Sequence, residues 1–174
     1  NSSKPLRILN ILGGESDLII SPRIHIHISR NSSLTLLEHY QGLTGTFFQN
    51  GLTNVSLDDN SSLNHIRIQS NSMSTININS LNITQDQNSQ YRFTQFSEGS
   101  MLGRLSVKSD INGQGAESFI SGLSLSKQNQ HIDNNIIINH NLPNCISTQN
   151  FKSILKDKSS GVYNGRSVVK KKAQ

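Results

Sequence analysis

Two side chains close in sequence carry the most versatile chemistry in this chain, His140 and Cys145 in His140-Asn-Leu-Pro143-Asn-Cys145. A thiolate and an imidazole are ligands for iron or zinc. A structural zinc site needs about four ligands and only two are local, so the segment reads better as a strand end with an exposed histidine and a half-buried thiol. His25 and His27 alternate with Ile24, Ile26 and Ile28 and so share one strand face. With a third group from a neighbouring strand they could take a metal, although a solvated outer face is the simpler reading. Glu38-His39-Tyr40 has the residue types of an acid/base pair, but adjacent strand residues point to opposite faces. Glu38 and Tyr40 can therefore meet one neighbour that His39 cannot. His131 and Asp133 share a face with no nucleophile beside them. The sequence has no G-x-S-x-G, P-loop, H-E-x-x-H or G-x-G-x-x-G, and Gly113-Gln114-Gly115 precedes no helical pattern, which argues against a phosphate cradle. No residue is assigned a catalytic role.

The elements that must position these groups are strands. Asn, Ser, Gln and Thr supply 69 of 174 residues, 20 are Ile, and only Ala116 and Ala173 are alanine. That mixture disfavours long helices and suits strands with polar outer faces. Disordered chains lack β-branched apolar residues, whereas here Ile recurs in alternating runs at 23–28, 64–68 and 75–79. Each run is expected to bury every second residue, with Ile inward and Asn, Ser, Thr and Gln facing water or laddering with one another.

Small polar turns precede several strands, at Asn31-Ser-Ser-Leu34, Asn60-Ser-Ser-Leu63, Asn88-Ser-Gln-Tyr91 and, more loosely, Gln114-Gly-Ala-Glu117, spaced by 29, 28 and 26 residues. Such a period signals a stacked solenoid. Two strands of about eight residues plus two turns fill it, which predicts an all-β fold: a flattened parallel β-helix of six coils with two strands per coil. Pro5, Pro22 and Pro143 are expected at turns. A sandwich of hairpins is the rival, through Asn-Gly pairs at Asn50-Gly51, Asn112-Gly113 and Asn164-Gly165. A β-helix leaves unpaired edges at its ends, and neither end reads as a polar cap, so association at an end is expected.

The formal charge of +5 is unevenly placed. From Lys152 onward seven basic residues face Asp157 alone, while the preceding 151 residues carry nine basic and ten acidic side chains. A nearly neutral body with a basic end gives little case for nucleic-acid binding. Cys145 is the only cysteine, which excludes an intrachain disulfide and makes a reducing compartment the default. No apolar run approaches the roughly 18 residues of a membrane span, so no membrane partner is expected.

Specific residues then add what periodicity does not. The stretch from His140 through Pro143, Cys145, Ser147, Gln149, Phe151, Ile154 and Leu155, followed by Asp157, Gly161-Val162-Tyr163-Asn164-Gly165-Arg166 and Val168, resembles the core signature of the SufB/SufD family of iron–sulfur cluster assembly proteins, in the form closer to SufD. Leu36-Leu37-Glu38-His39-Tyr40 and Gly113-Gln114-Gly115-Ala116 are similar to further landmarks, so the resemblance runs from about Ile24 to the end. It implies a right-handed parallel β-helix, with residues 1–174 as one β-helical core domain lacking the family's flanking helical regions. It further implies a non-catalytic scaffold subunit that pairs with a SufB-like protein and acts with a SufC-like ATPase, whose docking segment is not in this stretch. An iron–sulfur cluster would be bound transiently in the full complex and not tightly by this chain. His140 and Cys145 match family positions and are the weak cluster-binding candidates, while Val162, Tyr163, Gly165 and Val168 form the expected partner-facing edge. Exposed coil ends make a homodimer of the isolated chain an alternative. Bacterial cytoplasm is the expected compartment, or a plastid-type organelle in a eukaryote. The rival from another class is a carbohydrate-binding or polysaccharide-processing β-helix, which needs clustered carboxylates; the only adjacent acids are Asp58 and Asp59.

Overall fold

A computed structural model describes residues 4–13, 18–43 and 45–174. In chain order its strands are β1 (Leu6–Leu12), β2 (Leu18–Ile20), β3 (Arg23–Ile28), β4 (Ser33–Gly42), β5 (Phe47–Leu57), β6 (Ser62–Ser70) and β7 (Ile76–Gln85). They continue as β8 (Gln90–Glu98), β9 (Leu102–Ile111), β10 (Glu117–Ser126), β11 (His131–His140), β12 (Ile146–Leu155) and β13 (Ser160–Val169). The chain alternates between two sheets. One runs β1-β4-β6-β8-β10-β12, and the other runs from β13 through β11, β9, β7 and β5 to a last row shared by β2 and β3. Six rungs per sheet wind into a parallel β-solenoid of about five full turns. Every strand pairing is parallel, so the hairpin sandwich is ruled out. Asn50-Gly51 and Asn164-Gly165 lie inside β5 and β13 and make no turns.

The repeat is fixed at one corner. Asn31, Asn60, Asn88 and Asn144 take positive φ of 57°, 55°, 54° and 60° at the passage from the second sheet to the first. In the fourth turn the left-handed residue is Gly115, with φ of 72°, not Gln114. Asn144, just before Cys145, is a fifth equivalent that the sequence pattern did not expose. Left-handed backbone crowds a Cβ, and Asn tolerates it better than other side chains. Here the amides also stack: Asn88 Nδ2 donates to Asn60 Oδ1 at 3.2 Å and Asn60 Nδ2 to Asn31 Oδ1 at 3.2 Å.

This corner overrides the apolar alternation in two of the three Ile runs. Ile24, Ile26 and Ile28 do point inward, but in β6 the buried residues include His65 and Arg67, and in β7 they include Asn77 and Asn79. Ile66, Ile68, Ile76 and Ile78 lie half-buried on the outer faces. A strand whose start is set by a stacked turn cannot slip by one residue without losing the ladder, so the phase follows Leu63 and Leu81, which align with the interior rows of neighbouring rungs. Pro22 likewise departs from expectation. It interrupts a strand row between β2 and β3, where an outermost rung tolerates a missing N–H, and its carbonyl accepts from Leu52 N at 3.0 Å.

The interior is divided. Beside the Asn corner one row is largely apolar, Ile26, Val55, Ile83 and Ile138, with Ser109 between the last two. Toward the opposite corner, buried polar groups hydrogen-bond between rungs: Ser97 Oγ donates to Ser124 Oγ at 3.0 Å, and Gln49 Nε2 to Asn79 Oδ1 at 3.3 Å. Parallel stacking places such groups about 4.8 Å apart and lets them satisfy one another.

The corner makes a clear prediction. Asn60→Ala should destabilise the protein by about 1–2 kcal/mol, the order of the left-handed penalty for a residue with a Cβ. Asn60→Gly, which keeps the backbone conformation and loses only exposed amide bonds, should cost less. Urea unfolding of the three proteins measures the difference.

Candidate functional site

The most concentrated polar chemistry lies inside the solenoid. Glu38 and Tyr40 project inward from β4, and one rung on, Arg67 of β6 pairs in register with Glu38, with His65 two residues before it. Tyr91 joins from β8 and Thr53 from the facing sheet. Glu38, His65 and Arg67 are all fully buried. The Tyr40 hydroxyl donates to Glu38 Oε1, and Thr53 Oγ1 reaches the same oxygen at 3.4 Å. His65 Nε2 lies 2.8 Å from Glu38 Oε2 and its Nδ1 3.0 Å from the Tyr91 hydroxyl. A carboxylate only accepts, so Nε2 carries the proton of that bond, and Nδ1 shares a hydrogen bond with the Tyr91 hydroxyl. The Arg67 guanidinium stacks 4.7 Å from the Tyr40 ring centroid, with Nε 3.9 Å from Glu38 Oε2.

Burial alone would raise the Glu38 carboxyl. The Arg67 charge, the hydrogen bond and charge of His65, and the Tyr40 hydroxyl overcome it and hold the group at about 2. Burial, with the Glu38 charge beside them, pushes both tyrosines well above their ordinary range. Tyr40 and Tyr91 thus stay un-ionised around a fixed carboxylate, an arrangement that holds three rungs together. The sequence placed Glu38 and Tyr40 against a common neighbour but missed that it is Arg67, because the Ile alternation assigned Arg67 to the outside.

His140 and Cys145 flank one passage of the Asn corner. The His140 ring is buried, which lowers its pKa and favours the neutral form, and its Nε2 lies 2.8 Å from Ser147 Oγ. The half-buried Cys145 thiol faces carbonyl oxygens of Gly113, Leu142 and Pro143 at 3.2, 3.3 and 3.4 Å. The histidine is thus more enclosed than the sequence suggested and engages a serine. Among the described residues no three metal-ligating side chains cluster.

The remaining titratable candidates are dispersed over the outer faces. His27 bonds Ser56 Oγ at 2.9 Å and lies 3.4 Å from Asp58, and Asp59 pairs with Arg30 at 2.8 Å. His39 points outward to Arg7 at 3.3 Å, as the alternation required. His131 bonds Ser160 at 2.8 Å while Asp133 pairs with Arg104 at 3.5 Å. The acids that a carbohydrate-processing groove would recruit at 58 and 59 are already taken.

Val162, Tyr163, Gly165 and Val168 all lie on β13, the outermost strand of its sheet. Tyr163 and Gly165 continue the interior rows of Asn134 and Ile136, whereas Val162 and Val168 continue the outer rows of Asp133 and Asn139. Phe151 and Tyr163 stack with centroids 5.3 Å apart, and the Tyr163 hydroxyl donates to Gln149 Oε1 at 2.8 Å. Gly122 makes room for this closure, since a Cβ there would run into the Phe151 ring. Around it Ile154, Leu155, Val162 and Val169 are exposed, so the last rung presents apolar side chains beside unpaired strand edges.

Comparison with known proteins adds a family. Residues 11–174 match the family described as SUF system FeS cluster assembly, SufBD core domain. The iron-sulfur cluster assembly protein SufD of Plasmodium berghei is 27% identical over 157 residues, covering 89% of this chain and 12% of that protein. The Escherichia coli protein of the same name is 25% identical over 173 residues, covering 94% and 40%. Protein ABCI7, chloroplastic, of Arabidopsis thaliana is 25% identical over 161 residues, covering 90% and 34%. The chain therefore spans well under half the length of these relatives.

The Glu38 cluster predicts a definite pH profile. Its folded pKa of about 2 lies below the ordinary 4.5, so its stabilisation is present above pH 4.5 and is lost as pH falls through that window, on the order of 3 kcal/mol in all. Glu38→Gln should be less stable at neutral pH and should lack that part of the slope. Urea midpoints collected from pH 7 down into the acid range test both features.

Proposed function

The chain belongs to the SufBD core family, and on that premise we propose that it is a non-catalytic scaffold subunit of SUF iron–sulfur cluster assembly, pairing with a SufB-like protein and acting with a SufC-like ATPase. The family match along nearly the whole chain is the observation that carries this reading. The β12–β13 rung supports it physically. β12 and β13 each have one strand neighbour among the described residues, so further strands can add along the other edge of each. A partner that adds strands there would cover Ile154, Leu155, Val162, Tyr163 and Val169 in one step.

In this role ATP hydrolysis belongs to the ATPase, and the cluster is cargo. His140 and Cys145 are the groups of this chain offered to cluster iron during assembly, through a neutral imidazole and a thiol that gives up its proton on ligation. The compartment proposed is bacterial cytoplasm or a plastid-type organelle, consistent with a chloroplast protein among the relatives. No helix among the described residues is long and apolar enough to cross a membrane.

Two measurements test this. A tagged chain co-produced with a SufB-like subunit under anaerobic conditions should retain it, and Val162→Glu with Tyr163→Glu should weaken retention by about 2 kcal/mol or more, the scale of central interface anchors. Equal recovery with the double variant would move the pairing surface elsewhere. Within the assembled complex, Cys145→Ser should lower bound iron and sulfide; unchanged loading would remove Cys145 from the cluster's path.

A further inference from the structure

Between the two sheets, in the polar half of the interior, lies a small cavity of about 10 Å³. Gln69, Gln95 and Ser97 line it from one sheet, and Gly103, Leu105 and Asn134 from the other. Gly103 stands in an interior row between Asn77 and Ile132 and brings no side chain to it. A Cβ there would meet Ile132 Cδ1 at 2.9 Å and Gln69 Nε2 at 3.8 Å, so the missing side chain is what leaves the space.

Gln95 and Asn134 are only 4% and 3% exposed, and among the described residues neither side chain hydrogen-bonds to another protein group. Their neighbours are committed elsewhere: Gln69 Nε2 donates to Ser100 Oγ at 3.3 Å, and Ser97 Oγ to Ser124 Oγ at 3.0 Å. Gln49 Oε1 and Asn77 Nδ2 also lack partners but are sealed by the residues around them, whereas the Gln95 and Asn134 amides border open space. A buried amide without a partner is costly, and two of them on one cavity, from facing sheets, call for a guest that both donates and accepts. No charge is offered to it. Arg104 also borders the cavity, but its guanidinium is drawn to Asp133 on the outer face at 3.5 Å.

We propose that this cavity is a binding site for a single ordered water that bridges the two sheets. The water accepts a hydrogen bond from one of the two amides and donates to the carbonyl of the other, and Ser97 Oγ accepts its second hydrogen. Room of about 10–15 Å³ and two to four polar partners are what one buried water requires. An apolar guest of that size would leave both amides unsatisfied, and an ion would meet no opposite charge. The water thus supplies at Gly103 the cross-link that stacked side chains supply on other rungs. The site lies inside the coil and away from Val162 and Tyr163, so it stands or falls independently of subunit pairing.

The test is water–protein NOE and ROE spectroscopy of the isotope-labelled full chain. The side-chain amides of Gln95 and Asn134 should show cross-peaks at the water frequency with opposite signs in the two spectra, the mark of a long-lived bound water and not of proton exchange. Gly103→Ala, which fills the space, should abolish them. Gln95→Met with Asn134→Leu keeps the Ser97 hydroxyl and should remove the water contacts of Leu105 and Ile132. Unfolding equilibria give a second readout, because the two amides share no direct bond. If one water joins them, the double variant should raise the unfolding constant at least about tenfold less than the product of the single variants. Absence of the water cross-peaks in the parent chain would overturn the proposal. So would their persistence in Gly103→Ala, or single-variant effects that simply multiply.

Discussion

In a parallel stack each side chain sits almost directly above its equivalent one rung earlier, about 4.8 Å away. That spacing suits hydrogen-bonded amides and hydroxyls as well as it suits packed methyl groups. It explains how a chain so rich in Asn, Ser and Gln makes a folded interior at all. Asn31, Asn60 and Asn88 bond in series at the corner, and Ser97 with Ser124 or Gln49 with Asn79 do the same within. A polar side chain in a globular core must find a partner from some unrelated part of the chain, whereas here the next rung brings one.

The same geometry makes the buried ionic group tolerable. Removing a carboxylate and a guanidinium from water is costly unless their remaining valences are satisfied. Glu38 receives the Tyr40 hydroxyl, the His65 ring and a distant Thr53, while Arg67 lies against an aromatic face but leaves its Nε and Nη1 without acceptors, so the carboxylate is the better satisfied half of the pair. Because β4, β6 and β8 all contribute, displacing any one rung would strand a charge in the interior. The cluster therefore acts as a register pin in the part of the coil where apolar rows alone are least discriminating.

What the sequence revealed followed from repetition. The turn spacing led to a parallel solenoid with two strands per coil, and the SufB/SufD resemblance agreed with the family match over residues 11–174. What stayed hidden was phase. Ile66 and Ile68 look like core residues on alternation, yet His65 and Arg67 occupy the interior, since strand orientation is set by the turn at Asn60 and by interior residues of adjacent rungs. Cys145 and His140 were visible as residue types, but their separate engagement, with backbone carbonyls and with Ser147, depends on rungs about thirty residues apart in one case and on a corner passage in the other.

A stacked repeat also changes what counts as a neighbouring residue. On the outer faces Asn82 Nδ2 donates to Asn54 Oδ1 at 3.0 Å and the Thr94 and Ser121 hydroxyls meet at 3.2 Å, pairs separated by 28 and 27 residues. A substitution there is felt first one rung away, by a residue far off in the sequence, before it is felt along the chain.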